Sequence, residues 1–283
     1  MALLARVWGC RGSVPTPGEA TVRYGGNTSC VEVRNGSDVV LILDAGTGIR
    51  RLGDELDAGT QVHVLLTHLH LDHLEGLRFF APLWQEGREI HIWGPPSPVH
   101  SLEERISRAF SPPLFPVDLA DIPATISFHD VPDDTWELGE VRLLALPVSH
   151  PGSTVGFRLD VADGSLAFIP DHEPVLGVDL ADLEPDWVSG HALAAGVDVL
   201  LHDSQFTEDE YPERVGWGHS SVAHAVGFAR KADVGRLVLF HHDPDRSDAE
   251  VEELTERASE LWNGGARGAP PLAAHEGMTI EVG

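Results

Sequence analysis

The sequence predicts an αββα sandwich, two mixed β-sheets packed face to face with helices outside. Three observations lead there: short β-rich runs fall into two groups, helical patterns accompany each group, and the regular strand-helix alternation of a doubly wound sheet is missing. No internal repeat of fixed short period is visible. The 283 residues read as one domain, 1–283, long enough to bury a substantial core without disulfides.

In the first group, β-rich runs at 3–8, 29–34, 39–43 and 61–67 are bounded by Gly, Pro and Asn clusters that read as turns. A helix is expected over 47–57, a short one over 73–80, a strand over 90–93 and a helical pattern over 98–110. Residues 111–124, proline-containing and acidic, read as a surface excursion. The second group has strands at 125–129, 141–147, 154–160, 165–169, 197–201 and 237–240, with helices at 219–231 and 248–263.

The chain has 45 acidic side chains against 19 basic ones, a formal charge of -26. Most of such a surface repels a polyanion, and nucleic-acid readers usually show a basic face. A large nucleic-acid partner is therefore disfavoured, although a local metal site can still attract one phosphate. Cys10 and Cys30 are the only cysteines, too few for a disulfide scaffold and wrongly spaced for a zinc ribbon. They read as thiols in a reducing compartment. The apolar start is only a strand long before Arg11 and Gly12 interrupt it, and no run approaches a membrane span. The expectation is a cytoplasmic protein with no membrane partner.

The chemistry concentrates where the run ending at Thr67 meets His68-Leu69-His70-Leu71-Asp72-His73, which puts three imidazoles and a carboxylate at one strand end. Imidazole and carboxylate without thiolate suit Zn, Mn or Fe in an open catalytic site better than a closed structural zinc site. Scattered surface histidines are the bland alternative, and four potential ligands in six residues argue against it. One cluster cannot complete two coordination shells. Further donors follow later runs at the strand-to-loop junction: His150 after 141–148, Asp171 after 166–170 and His241 after 237–240.

This HxHxDH motif, followed by single residues in that order, resembles the metallo-β-lactamase superfamily from about Asp44 to His241. The resemblance implies that fold and two divalent metal ions, zinc in first place with Mn2+ or Fe2+ as alternatives. It places His68, His70 and His150 on one ion, Asp72, His73 and His241 on the other, and Asp171 between them, with a bridging hydroxide as nucleophile. Asp44, before Gly46, matches the family's first motif and is implied to orient the metal-binding loop. His241 is preferred to His242 because strand neighbours face opposite ways and His241 directly follows the strand. His172, where relatives commonly carry a small hydroxyl residue, reads as an imidazole behind or at the rim of the site. Asp44-Ala45-Gly46-Thr47-Gly48 is no dinucleotide fingerprint, since Arg51 stands in place of the third glycine.

His202-Asp203-Ser204-Gln205-Phe206 and Gly218-His219-Ser220-Ser221 resemble the branch that holds tRNA 3′-end nucleases (tRNase Z) and small cyclic phosphodiesterases, in which an acidic residue and a histidine of these motifs work as a pair. Phosphodiester hydrolysis needs a nucleophile, charge stabilisation and a proton for the departing alkoxide. His219, held protonated by Asp203, is the candidate for the third. Its structural alternative is a residue at a helix start beside a capping serine. Asp72 would both coordinate metal and position or deprotonate the attacking water, so the expected catalytic set is Asp72, Asp203 and His219. The turns 9–13 and 24–28 also resemble this branch, and their amides could contact phosphate oxygens.

Residues 111–134 contain five aspartates and no Lys or Arg, which favours small phosphodiesters: cyclic nucleotides, cyclic ribose phosphates or short oligonucleotides. The rival is a thioester or lactone hydrolase, which leaves Asp203 and His219 without a task. A non-catalytic metal-binding protein ranks below both. Proteins that this one resembles are commonly homodimers.

Overall fold

Strands β2 (Cys30–Arg34) and β3 (Val39–Leu43) are buried on both faces, as strands of a sheet covered on both sides are. Val31, Val33, Leu41 and Leu43 enter the layer between the sheets. Cys30, Val40 and Ile42 enter the layer beneath the helices. The computed structural model describes residues 3–36, 39–262 and 269–283, so position 263 of the expected last helix lies outside the described residues.

The remaining elements follow in chain order: β1 (Leu3–Gly9), α1 (Ile49–Glu55), β4 (Gln61–Leu65), β5 (Glu89–Gly94), α2 (Leu102–Ser107), β6 (Thr125–Asp130), β7 (Trp136–Leu138), β8 (Val141–Pro147), β9 (Val155–Val161), β10 (Gly164–Ile169), α3 (His191–Ala194), β11 (Val199–Asp203), α4 (Val222–Lys231), β12 (Arg236–Phe240), α5 (Asp248–Trp262), β13 (Leu272–Ala273) and β14 (Thr279–Val282). One sheet runs β14-β1-β2-β3-β4-β5-β6 and the other β13-β12-β11-β10-β9-β8-β7. Both are mixed. The parallel pairs are β3 to β6 in the first and β10 to β13 in the second. This is the αββα sandwich that the sequence predicts.

Phe157, Phe168 and Phe240 fill the layer between the sheets, each worth about 1.5–3 kcal/mol of transfer free energy when fully buried. The outer layer of the second sheet packs Val222, Val226 and Phe228 of α4 against Leu200 and Leu237. Cys10 and Cys30 are buried free thiols. Among the described residues, no helix is long and apolar enough to cross a membrane.

Several elements differ from expectation. The short helix over 73–80 is instead a pair of 3-10 turns, Leu71–His73 and Glu75–Phe79, because their amides bond three residues back, His73 to His70 and Leu77 to Leu74. The helical pattern over 98–110 contracts to α2, started by a capping box in which Ser101 Oγ accepts from the Glu104 amide at 3.1 Å and the Glu104 carboxylate from the Ser101 amide at 2.8 Å. The 111–124 excursion is only partly a surface feature, since Ile122 and Ala124 pack with Ile90 and Ile92. The helix expected from 219 starts at Val222, with Ser221 as its cap. Strands β7, β13 and β14 and helix α3 are additions.

Candidate metal centre

The parallel strands β3, β4, β10, β11 and β12 deliver Asp44, His68, Asp171, Asp203 and His241 at their carboxyl ends, the usual place for a site on such sheets. Asp44 and His241 both have φ near +60°, an uncommon conformation without glycine that marks strained functional positions.

Asp44 is fully buried and organises the His68–His73 segment. Its Oδ1 accepts from the Thr67 amide (2.8 Å), and its Oδ2 from Ser29 Oγ (3.0 Å) and from His73 Nδ1 (2.7 Å). A carboxylate can only accept, so His73 carries its proton on Nδ1 and turns Nε2 inward. His150 is fixed likewise, its Nδ1 donating to the Gly218 carbonyl at 2.8 Å.

Two sets of donor atoms result. His68, His70 and His150 form one, and Asp72, His73, Asp171 and His241 the other. His150 Nε2 lies 3.2 Å from His70 Nδ1. Asp171 faces both sets: its Oδ2 is 3.8 Å from His68 Nε2 and 3.7 Å from His150 Nε2, while its Oδ1 is 3.0 Å from His73 Nε2 and 3.2 Å from His241 Nε2. Asp72 Oδ2 completes the second set, 3.2 Å from His73 Nε2 and 3.3 Å from His241 Nε2.

These spacings fit divalent cations. Donors around a tetrahedral ion at about 2.0–2.1 Å stand roughly 3.3 Å apart. His68 Nε2, His73 Nε2 and Asp171 Oδ1 are buried without a hydrogen-bond partner, and the inward lone pairs of His73 and His150 point at carboxylate oxygens. Acceptors facing acceptors in a buried site call for a cation. The electrostatics agree. Burial is the main cause holding His68, His70 and His150 below the ordinary histidine value, in the neutral form that ligates metal. Burial also pulls His73 down, but Asp171, Asp72 and Asp44 outweigh it and hold the imidazole well above its usual value, so three carboxylates converge on a place that demands positive charge.

The N-terminal turn touches this centre. The Ser13 amide, at φ 60°, donates to Asp72 Oδ2 at 2.7 Å. A Cβ on Gly12 would lie 2.4 Å from the His241 ring, so only glycine lets the turn rest on that imidazole. Arg11, fully buried, ties the turn to the chain after His241 through Asp243 O (3.2 Å) and Arg246 O (2.7 Å). The expectation that amides of 9–13 and 24–28 meet phosphate fares differently. Ser13 N is taken by Asp72, Asn27 N by Glu276 (2.8 Å) and Thr28 N by Thr47 Oγ1 (2.9 Å).

His219 stands over both donor sets, its ring stacked on His241 at 5.0 Å and edge-on to His150 at 5.1 Å. Its Nδ1 lies 2.7 Å from Asp203 Oδ2. Asp203 is buried and also accepts from the amides of Gln205 (3.0 Å), His172 (3.1 Å) and Ser220 (3.2 Å). Burial disfavours the imidazolium of His219, but the Asp203 carboxylate more than offsets it and the pKa is pushed up to about 9.

His172 lies behind the site rather than at its rim: fully buried, with Nδ1 2.9 Å from His202 Nε2. His242 turns away and donates from Nε2 to the Ala274 carbonyl at 2.9 Å. Sequence reasoning missed Glu173, a fully buried carboxylate that accepts from Tyr211 Oη (2.7 Å) and from the amides of Gly216 (3.0 Å) and Gly218 (2.9 Å). Its one available signal was its place two residues after Asp171.

Comparison with known proteins places this arrangement. Ribonuclease Z of Myxococcus xanthus is 28% identical, the match covering 90% of this chain and 92% of that protein. The metallo-beta-lactamase fold protein YhfI from Bacillus subtilis superposes with a TM-score of 0.70 at 18% identity, covering 99% of this chain and 100% of that one. A diphosphatase from the PhnP family gives 0.68 at 18% identity, over 99% of this chain and 98% of its own. The family model for a beta-lactamase superfamily domain matches residues 40–242, so the chain belongs to the beta-lactamase superfamily, as a metal-dependent hydrolase.

Proposed function

We propose that the protein is a phosphodiesterase for small phosphodiesters that uses two divalent ions, zinc foremost. His68, His70 and His150 hold one, Asp72, His73 and His241 the other, and Asp171 spans them. When bound, such ions polarise phosphoryl oxygens and make water a nucleophile at neutral pH.

The observation that carries the reading is the His219–Asp203 contact at 2.7 Å above both donor sets. With Nδ1 committed to Asp203, His219 keeps Nε2 for the substrate. As the phosphorus–oxygen bond breaks, the Nε2 proton passes to the departing alkoxide and Asp203 holds the ring in place. Asp72, oriented by the Ser13 amide, has one task in ligation and a second in directing the attacking water. A thioester expels a thiolate, which needs this proton less than an alkoxide does; a lactone expels an alkoxide too, and its own assay separates it from a phosphodiester.

Charge favours a small substrate: a net charge of -26 opposes a polyanion. A second reading, RNA processing, is favoured by the name of the Myxococcus xanthus relative, Ribonuclease Z. Hydrolysis of bis(p-nitrophenyl) phosphate, a thioester and a lactone by metal-reconstituted protein, with metal content measured on the same sample, tests the reaction class. Thioester or lactone turnover without phosphodiester turnover overturns the proposal. A cyclic nucleotide beside a precursor tRNA then decides substrate size, and cleavage of the tRNA alone replaces the small-substrate reading with the second.

A further inference from the structure

Two cavities open beside the metal centre. The first, about 340 Å³, reaches from His68 and His70 to Pro98, Ser153 and Arg105. The second, about 350 Å³, lies between Leu71, Leu74, Leu114, Arg105 and Arg108. Each falls within the size range of small-ligand sites, and Leu69 and Arg105 line both.

Their composition departs from the rest of the chain. Against 45 acidic and 19 basic side chains overall, neither lining includes an Asp or a Glu, and both include arginine. The Arg105 guanidinium is fixed rather than waving in solvent: Nη2 donates to the Pro95 carbonyl at 2.6 Å and Nε to the Ser101 carbonyl at 3.4 Å. Asp130, 3.9 Å from Nη2, stands outside both linings. A planar cation held this way is prepared for an anionic oxygen. The second cavity adds apolar walls left open to water, with Leu71 63% and Leu114 69% exposed, large apolar surfaces that a ligand would cover.

Resting on the phosphodiesterase reading, we propose that the two cavities form one substrate subsite with Arg105 at their junction. It takes a phosphodiester whose non-reacting part carries a second anionic group, set on Arg105, and an apolar ring, set between Leu71 and Leu114. A short nucleotide with an additional terminal phosphate has this chemistry.

Binding of thymidine 3′,5′-bisphosphate and of thymidine 3′-phosphate to the metal-loaded protein, measured by titration calorimetry, tests it without turnover. The bisphosphate should bind about tenfold more tightly, the scale of one charge-assisted contact, and Arg105→Gln should bring the two close to parity. The kinetic counterpart compares kcat/KM for the dinucleotide TpT with and without a 5′-phosphate, and the same variant should remove the preference. Equal binding of the two nucleotides, or a preference that survives in Arg105→Gln, overturns the subsite. Should that variant fail to fold, the two-ligand comparison on the unaltered protein and on Arg108→Gln decides instead. Loss of the larger reading shows elsewhere, as absent bis(p-nitrophenyl) phosphate hydrolysis by the unaltered protein, so the two failures are distinguishable.

Discussion

Glu173 Oε2 accepts the amide of Gly218 at 2.9 Å, and the carbonyl of the same Gly218 accepts from His150 Nδ1 at 2.8 Å. A buried carboxylate thus holds in place the residue whose carbonyl sets the tautomer of a proposed metal ligand. The loop must pass through φ 86° at Gly216 and 88° at Gly218, and Glu173 collects both amides with the Tyr211 hydroxyl.

Replacing Glu173 with Ala strands the buried Gly218 amide, whereas the Tyr211 hydroxyl keeps the Val175 carbonyl at 3.0 Å and Gly216 is exposed to water. At about 1–3 kcal/mol for a buried unsatisfied group, the loss of stability should be about 1–3 kcal/mol, read from urea midpoints. Metal affinity should fall about 10- to 100-fold, as when groups that orient a ligand are removed, read by chelator competition at a temperature where the variant remains folded. An unchanged affinity would separate Glu173 from the metal centre.

His219→Ala should lower kcat by about 10²–10⁴-fold and leave metal content intact, and Asp203→Asn should act in the same direction. The leaving group supplies an internal control. A p-nitrophenolate departs without help, whereas a nucleoside alkoxide requires the proton, so the loss should be larger for a dinucleotide than for bis(p-nitrophenyl) phosphate. Equal losses on the two substrates would assign His219 to binding or packing.

Gly12→Ala drives a methyl group to 2.4 Å from His241 Cε1 and Nδ1, and either the turn or the imidazole must move. Overpacking of this kind costs about 1–3 kcal/mol. The second donor set should lose more than the first, because Ser13 N on Asp72 Oδ2 and His241 both belong to it. Metal titration should therefore show one weakened equivalent out of two. Two equal, unweakened equivalents would contradict this placement of the turn.

What could be read beforehand depends on where the information resides. His68, His70, Asp72 and His73 lie in six consecutive residues, so one strand end brings them together whatever the tertiary fold. His150, Asp171 and His241 were legible because a β-rich run precedes each one. Ser13 acts through its amide, and Gly12 and Gly218 through the lack of a side chain, so no residue type announces them. Glu173 reads as an ordinary glutamate until Tyr211, Gly216 and Gly218 fold over it. Strand β13 has only two residues and takes its identity from pairing with β12. The turns at Leu71–His73 and Glu75–Phe79 share a helix's apolar spacing, and periodicity over so few residues does not separate i+3 from i+4 bonding.

Away from the metal centre, β4, β5 and β6 bring three imidazoles together. His63 stacks on His91 with ring centroids 4.6 Å apart, and His91 Nδ1 lies 3.1 Å from His129 Nε2. Trp93 Nε1 donates to His63 Nδ1 at 3.1 Å, and the one carboxylate ion-paired with the group among the described residues, Glu89, is 3.7 Å from His91 Nε2. Burial, then the charges of His91 and His129, push His63 down to about 4. An unfolded histidine titrates near 6.5. Between these values the unfolded chain binds more protons than the folded one, so the stability is intact above about pH 6.5 and is lost as pH falls towards 4. At 1.36 kcal/mol per pKa unit, His63 accounts for about 2 kcal/mol of the loss between pH 7 and pH 5. His63→Leu removes that share. It should start less stable at pH 7, because Trp93 Nε1 loses its acceptor, yet lose about 2 kcal/mol less than the unaltered protein on acidification. Because the metal-site histidines titrate in both proteins, the difference between their urea-unfolding curves isolates His63. Parallel pH profiles would show that its proton is bound equally in the two states.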